Sequence, residues 1–251
     1  MDKTDPLSRD GFLGGRVQIW QPLTGYRAAT DPVLLAAAVP ARAGDRVLEL
    51  GVGVGTAALC LAARVPGVSV IGVERQAGYA KLAIQNAAEN CMDLTVHSAD
   101  LTALPEAVRS DVFDHVMMNP PFFAKQDGTA ATDAGREAAN REETPLEDWL
   151  DVGLRRLAQG GSLTIIHLAS RLGDILATLA PRCGAIVVKP LQPRPGRDAS
   201  RVLVQGRKGR RTALRLAAPL ILHEGDFHNS DGDDFSAEAR AILRDGGSLE
   251  L

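Results

Sequence analysis

Two hydrophobic periods alternate along the chain. Short apolar runs at residues 46–50 (RVLEL), 68–73 (VSVIGV), 94–97 (LTVH) and 112–118 (VFDHVMM) have the length and composition of buried strands. Between them, apolar residues recur at helical spacing: 56–65 (TAALCLAARV), then 78–89, where Ala80, Ala83, Ile84 and Ala87 fall on one expected face. The alternation continues with a helix at 146–157, a strand at 162–168, a helix at 171–179 and a strand at 185–189. Residues 201–206 (RVLVQG) read as a strand with no helix before them, reached through the Pro/Gly-rich QPRPGRD, which suits an antiparallel hairpin partner. Ahead of the first strand, 30–39 (TDPVLLAAAV) predicts a helix capped by Thr30, or by Asp31 with Pro32 at its first position, and 236–243 predicts a last helix capped by Ser236. Strands alternating with helices in this way predict an α/β fold: a mostly parallel sheet with helices on both faces.

Composition narrows the class. A chain of 251 residues without repeat, low-complexity tract or linker is expected to form one domain, 1–251, with 1–44 as an N-terminal segment and 45–251 as the core. It is 45% apolar and 24% charged, as ordinary soluble proteins are, and no apolar run approaches the roughly 18 residues of a membrane span. The polar, acid-bearing start MDKTDPLSRDGFLGG is neither signal nor transit peptide, so a cytoplasmic protein is expected. Cys60, Cys91 and Cys183 have no metal-ligand or CxxC spacing and read as small apolar fillers. The acidic stretch at 228–234 lacks the glutamate of a calcium loop and reads as a turn, so no metal is expected.

Charge is uneven. The net charge is −3, yet residues 181–215 hold ten basic side chains against Asp198, making that segment +9 and the other 216 residues −12. Local positive charge on an acidic protein suits an anionic partner such as RNA; a solvated strand-and-loop face is the other reading.

The chemistry gathers at strand ends. Glu49-Leu-Gly-Val-Gly-Val-Gly55 links the first strand to the first helix, where glycines permit a sharp turn and close approach of a ligand. Thr56 stands where a dinucleotide fingerprint has its third glycine, and Glu49 precedes the loop. That combination suits a ligand with an ammonium group and no pyrophosphate, as S-adenosylmethionine offers. Glu74 ends the second strand, 19 residues after Gly55, where such folds place an acid for two ribose hydroxyls. Asp100, just past the third strand, is positioned to accept from an adenine amine.

The fourth strand ends in Asn119-Pro-Pro-Phe-Phe123. An exocyclic amine or amide is a poor nucleophile because its lone pair is delocalised. Two acceptors, the Asn119 side-chain oxygen and the Pro120 carbonyl, would draw its nitrogen toward tetrahedral geometry. The prolines stiffen both positions, and Phe122 offers a stacking face worth roughly 1–3 kcal/mol per base. Alternatively, the motif only ends a strand and both phenylalanines pack on the core.

Together ELGVGVGT, Glu74, Asp100 and NPPFF resemble the class I S-adenosylmethionine-dependent methyltransferases with an Asn-Pro-Pro-aromatic motif. Residues 15–38 (GRVQIWQPLTGYRAATDPVLLAAA) and 201–209 (RVLVQGRKG) are similar to bacterial tRNA (adenine-N6) methyltransferases acting on valine tRNA. The resemblance implies a Rossmann-like, seven-stranded sheet with an antiparallel last strand. It implies cofactor contacts from Glu49, Gly51, Gly53, Gly55, Glu74, Asp100 and Asn119, with residues 26–31 over the methionine end. Target contacts would be Asn119, Pro120 and Phe122, with Phe123, Arg194, Arg207, Arg210 and Arg211 binding substrate. The loop 124–144, carrying Lys125, Arg136 and Arg141, is expected to act as a lid. Phe122 replaces the commoner tyrosine, which leaves guanine-N2 methylation of rRNA open as an alternative. A glutamine-N5 protein methyltransferase is a second, although about 45 residues leave little room for a helical substrate domain.

Overall fold

The computed structural model describes residues 6–124, 141–142, 144–225 and 234–251. An N-terminal antiparallel hairpin, β1 (Leu7–Phe12) and β2 (Val17–Pro22), precedes α1 (Thr30–Ala38). Then follow β3 (Arg46–Leu50), α2 (Thr56–Arg64), β4 (Ser69–Glu74), α3 (Ala77–Glu89), β5 (Leu94–Ser98), the short α4 (Glu106–Arg109) and β6 (Phe113–Met118). The two-residue strands β7 (Phe123–Ala124) and β8 (Arg141–Glu142) pair in parallel. The chain continues through α5 (Leu146–Arg156), β9 (Leu157–Leu168), α6 (Leu172–Leu179), β10 (Cys183–Gln192), β11 (Arg201–Lys208), β12 (Arg215–Leu216), β13 (Leu220–Ile221) and α7 (Ala237–Leu243).

The main sheet runs β12-β10-β11-β9-β6-β3-β4-β5, with β13 also on β10. The seven expected strands are all present. β11 is antiparallel to both β10 and β9, while the remaining ladders are parallel. β12 and β13 lengthen the sheet to nine strands, satisfying part of the outer edge of β10. Alternate strand residues divide into two cores. Val47, Val70 and Met117 pack with α1, α2 and α3, whereas Leu48, Val116 and Met118 pack with α5 and α6.

Two local expectations are corrected and one holds. The cap position of α1 is Ala29, without a side-chain bond; the Asp31 carboxylate reaches across to Arg201 instead. Ser236 does cap α7, accepting from the Ala239 N–H. Cys91 is exposed, unlike Cys60 and Cys183.

On α3, Ile84 is 51% exposed while Asn86 is fully buried. The Asn86 side chain accepts from the Trp20 N–H (2.8 Å) and donates to the carbonyls of Trp20 (3.0 Å) and Val54 (2.9 Å). Asn90 does the same for both backbone groups of Gln18, at 2.9 and 2.7 Å. Four residues of helix advance about 6 Å and two of strand about 6.6 Å, so one asparagine per turn matches every second strand residue. Satisfying that edge turns α3 away from its purely apolar face.

Candidate active site

The site forms where β3, β4, β5 and β6 end. Gly51 and Val52 donate their N–H groups to the Val73 carbonyl at 2.8 and 3.0 Å, hanging the glycine loop on the end of β4. Gly51 has φ +72°, and a Cβ there would lie 2.7 Å from the Trp149 ring. Only glycine fits that position. The Gly53 N–H donates to Glu74 Oε2 at 3.0 Å, and the Gln76 N–H donates to Oε1 at 2.8 Å. Burial raises the Glu74 carboxyl above its usual pKa, and these N–H groups oppose the rise. The carboxylate keeps accepting capacity for a ligand hydroxyl.

Glu49 is 3% exposed, and its Oε2 has no partner among the described residues. Burial pushes its carboxyl well above the carboxylate range; the Ala58 N–H opposes this and nearby Glu74 adds to it. Thr56 Oγ1 is likewise buried and unpartnered. Asp100 Oδ1 accepts from the Thr102 N–H (2.8 Å) and hydroxyl (2.7 Å), which holds its pKa low.

After β6, Asn119 donates from Nδ2 to Tyr26 Oη at 3.4 Å, and its buried Oδ1 has no partner among the described residues. Tyr26, Glu49, Gly51, Gly53, Glu74 and Asp100 line one cavity with Asn119, Pro120, Pro121 and Phe122. Phe122 meets the buried His167 ring at 5.3 Å and 81°, and the Arg201 guanidinium lies 4.4 Å over the Phe122 ring. Burial first, then Arg171, lowers the His167 pKa to about 4, so this imidazole is neutral at pH 7.

Other expected residues lie elsewhere. Gly55 does not line the cavity; its side faces Ala83 and Leu94 at 3.4 Å, where it admits α3 and β5 close to the loop. Arg194 is tied to Asp234 at 2.6 Å and to the Gly225 carbonyl at 3.2 Å. Arg207 pairs with Ser162 while Arg201 pairs with Leu168. Those six residues place Arg207 about 20 Å down β11, toward the opposite end of the sheet, with Arg210 and Arg211 following it. Phe123 is placed by its backbone in β7, and most of the expected lid, 125–140 and 143, lies outside the described residues. The cavity also uses Thr56, named above only as a departure from the dinucleotide fingerprint, and Tyr79 and Trp149, which the sequence does not mark. Tyr79 and Trp149 sit at apolar helical positions and look like core.

Orphaned acceptors on Glu49, Thr56 and Asn119 mark a cavity shaped for a polar ligand, and the acid set suits an ammonium, two ribose hydroxyls and an adenine amine. With the sheet order and the single antiparallel strand, this defines a class I S-adenosylmethionine-dependent methyltransferase. Residues 29–172 match the family model described as Methyltransferase small domain, and the chain belongs to that family. It is 29% identical over 249 residues to a Yersinia enterocolitica protein named tRNA1(Val) (adenine(37)-N6)-methyltransferase, covering 97% of this chain and 95% of that one. A Porphyromonas gingivalis protein of the same name is 32% identical over 80% of this chain and 82% of its own. The crystal structure of an Agrobacterium tumefaciens protein, titled a predicted O-methyltransferase, superposes with a TM-score of 0.70 at 28% identity, covering 88% of this chain and 99% of that one. Among the described residues, no helix is long and apolar enough to cross a membrane, and no side-chain group is arranged to hold a metal ion.

Proposed function

We propose that this chain methylates the exocyclic N6 amine of an adenine in tRNA, with adenine 37 of tRNA1(Val), the position in its relatives' names, as the target. The observation that carries the chemistry is Asn119 Oδ1, a buried acceptor left without a partner beside the cofactor cavity. An amine brings two N–H donors, one for Asn119 Oδ1 and one for the Pro120 carbonyl. A hydroxyl acceptor brings one and would leave a buried oxygen unsatisfied, at a cost of about 1–3 kcal/mol.

Bound S-adenosylmethionine supplies an activated methyl group on its sulfonium. Glu74 would accept from the ribose hydroxyls, the second oxygen of Asp100 from the adenine amine, and Glu49 would face the ammonium. Asn119 and Pro120 hold the target nitrogen, and Phe122 bounds the base. A base in a duplex cannot reach Asn119 without leaving its stack, so an anticodon-loop adenine is the less costly target.

The test is methyl transfer to an unmodified valine tRNA transcript, with nucleoside mass spectrometry. N6-methyladenosine that disappears when adenine 37 is replaced by guanine is the expected result. N2-methylguanosine, or methylated glutamine in protein, would overturn the base assignment. Methylation of a hydroxyl would overturn the amine clamp. Asn119→Ala should remove most turnover and leave cofactor affinity nearly unchanged.

A further inference from the structure

The basic residues of segment 181–215 divide between the two ends of the sheet, and at the pocket end Arg201 is held in an unusual setting. It opens β11 opposite Leu168, at the edge where β6 delivers Asn119 and Phe122. Its guanidinium lies 4.4 Å over the Phe122 ring. Nε donates to Asp31 Oδ2 at 3.2 Å, and Nη1 donates to the Ser200 carbonyl at 3.4 Å. The ion pair is single-pointed, so among the described residues Nη2 keeps both of its N–H donors without a partner. The side chain is 29% exposed, open enough to meet a ligand and constrained enough to hold one orientation.

Its neighbours sharpen the point. Arg194 is occupied by Asp234, and Arg171 pairs with Asp174 at 2.6 Å. Among the described residues the cavity carries Glu49, Glu74 and Asp100 against one cation, Arg75, and Asp31 stands beside Pro32 at its rim. A polyanion bringing a base to Asn119 approaches a mouth with more acids than bases, where a further fixed cation offsets the repulsion. A guanidinium lying over the ring that bounds the target base is suited to the adjacent phosphate, because its charge is permanent and Nη2 still holds two N–H donors.

We propose that Arg201 forms a phosphodiester subsite at the pocket mouth: tethered by Asp31 and lying over Phe122, it holds the phosphate next to the extruded target nucleotide. This rests on the RNA reading above. It also divides the basic residues by role, since Arg207 far along β11, and Arg210 and Arg211 beyond its end, stand too far away to touch the same nucleotide.

The experiment compares wild type, Arg201→Gln and Arg201→Lys on an unmodified valine tRNA transcript across a salt series, with S-adenosylmethionine affinity measured separately by calorimetry. If wild type methylates no RNA, the functional reading fails and the subsite with it. If wild type is active, Arg201→Gln should raise KM for RNA about five-fold at 0.1 M salt and flatten the slope of log KM against log salt by about 0.7, one phosphate's worth. Cofactor affinity should stay within two-fold. Arg201→Lys should restore the salt slope but retain a lowered kcat, because an ammonium keeps charge without the planar fork. An unchanged KM and slope in Arg201→Gln, with wild type active, would overturn the subsite alone. So would a loss of cofactor affinity matching the loss of RNA affinity, which would mark Arg201 as a prop for the Phe122 turn.

Discussion

Tyr26 and Asn119, 93 residues apart in sequence, meet at 3.4 Å, with the amide nitrogen donating to the phenol oxygen. In this arrangement the amide nitrogen points to the phenol and the amide oxygen into the cavity. With Nδ2 on Tyr26, Oδ1 is the end left buried and unpartnered. A tyrosine four residues past the N-terminal hairpin thus holds the amide on which the amine reading depends.

Tyr26→Phe keeps the ring against the glycine loop and removes the oxygen. The amide can then turn its nitrogen inward, and kcat should fall about two- to ten-fold, the equivalent of one hydrogen bond of about 0.5–1.5 kcal/mol. Cofactor affinity should not move. Single-turnover rates with calorimetry alongside would show this, and an unaltered rate would remove Tyr26 from the mechanism.

Glu74 is gripped by two backbone N–H groups, from Gly53 and Gln76. Glu74→Gln should set an amide N–H₂ against one of them and remove the charge. Cofactor affinity should weaken roughly ten- to a hundred-fold, as for loss of one charged hydrogen bond of about 1.5–3 kcal/mol. Equal affinity by calorimetry would refute the ribose assignment.

Glu49 gives a pH dependence with a definite sign. Burial raises its carboxyl well above the ordinary 4.5, so the ligand-free fold binds a proton that the unfolded chain releases. Stability of the free protein should therefore fall as pH rises from near 4.5 toward the raised value. A cationic ligand needs the carboxylate, so cofactor affinity should rise over the same window, with proton release on binding. Calorimetry in buffers of different ionisation enthalpy measures that proton; no release, or affinity falling with pH, would contradict the placement of the ammonium.

Asn86→Ala should strip partners from both backbone groups of Trp20 and from the Val54 carbonyl. A loss of about 2–4 kcal/mol is expected, lowering Tm by roughly 5–15 °C for a chain of this size. An Ile84→Ala change on the exposed side of the same helix should stay within about 0.5 kcal/mol. Thermal melts of the two variants reversing that order would contradict the orientation of α3.

Most of the architecture was legible because it is local. Strand and helix periods, the glycine loop, and acids at successive strand ends are carried by neighbouring residues, and a parallel sheet brings those ends to one edge. Glu49, Glu74, Asp100 and Asn119 could thus be gathered into one site from their order alone. Tyr79 and Trp149 could not, since an aromatic at an apolar helical position reads the same in a core and in a ligand wall.

Two features needed the tertiary structure. The rotation of α3 follows from a bare strand edge that only asparagine side chains satisfy, so Asn86 goes in and Ile84 goes out. The sorting of the basic segment follows from strand direction. Arg201 and Arg207 are alike in charge and six residues apart, yet β11 runs against its neighbours. Its first residue therefore arrives at the cofactor edge and its later arginines are carried to the far end. Sequence determined that the segment is basic; the antiparallel ladder decided which of its cations stands beside Phe122.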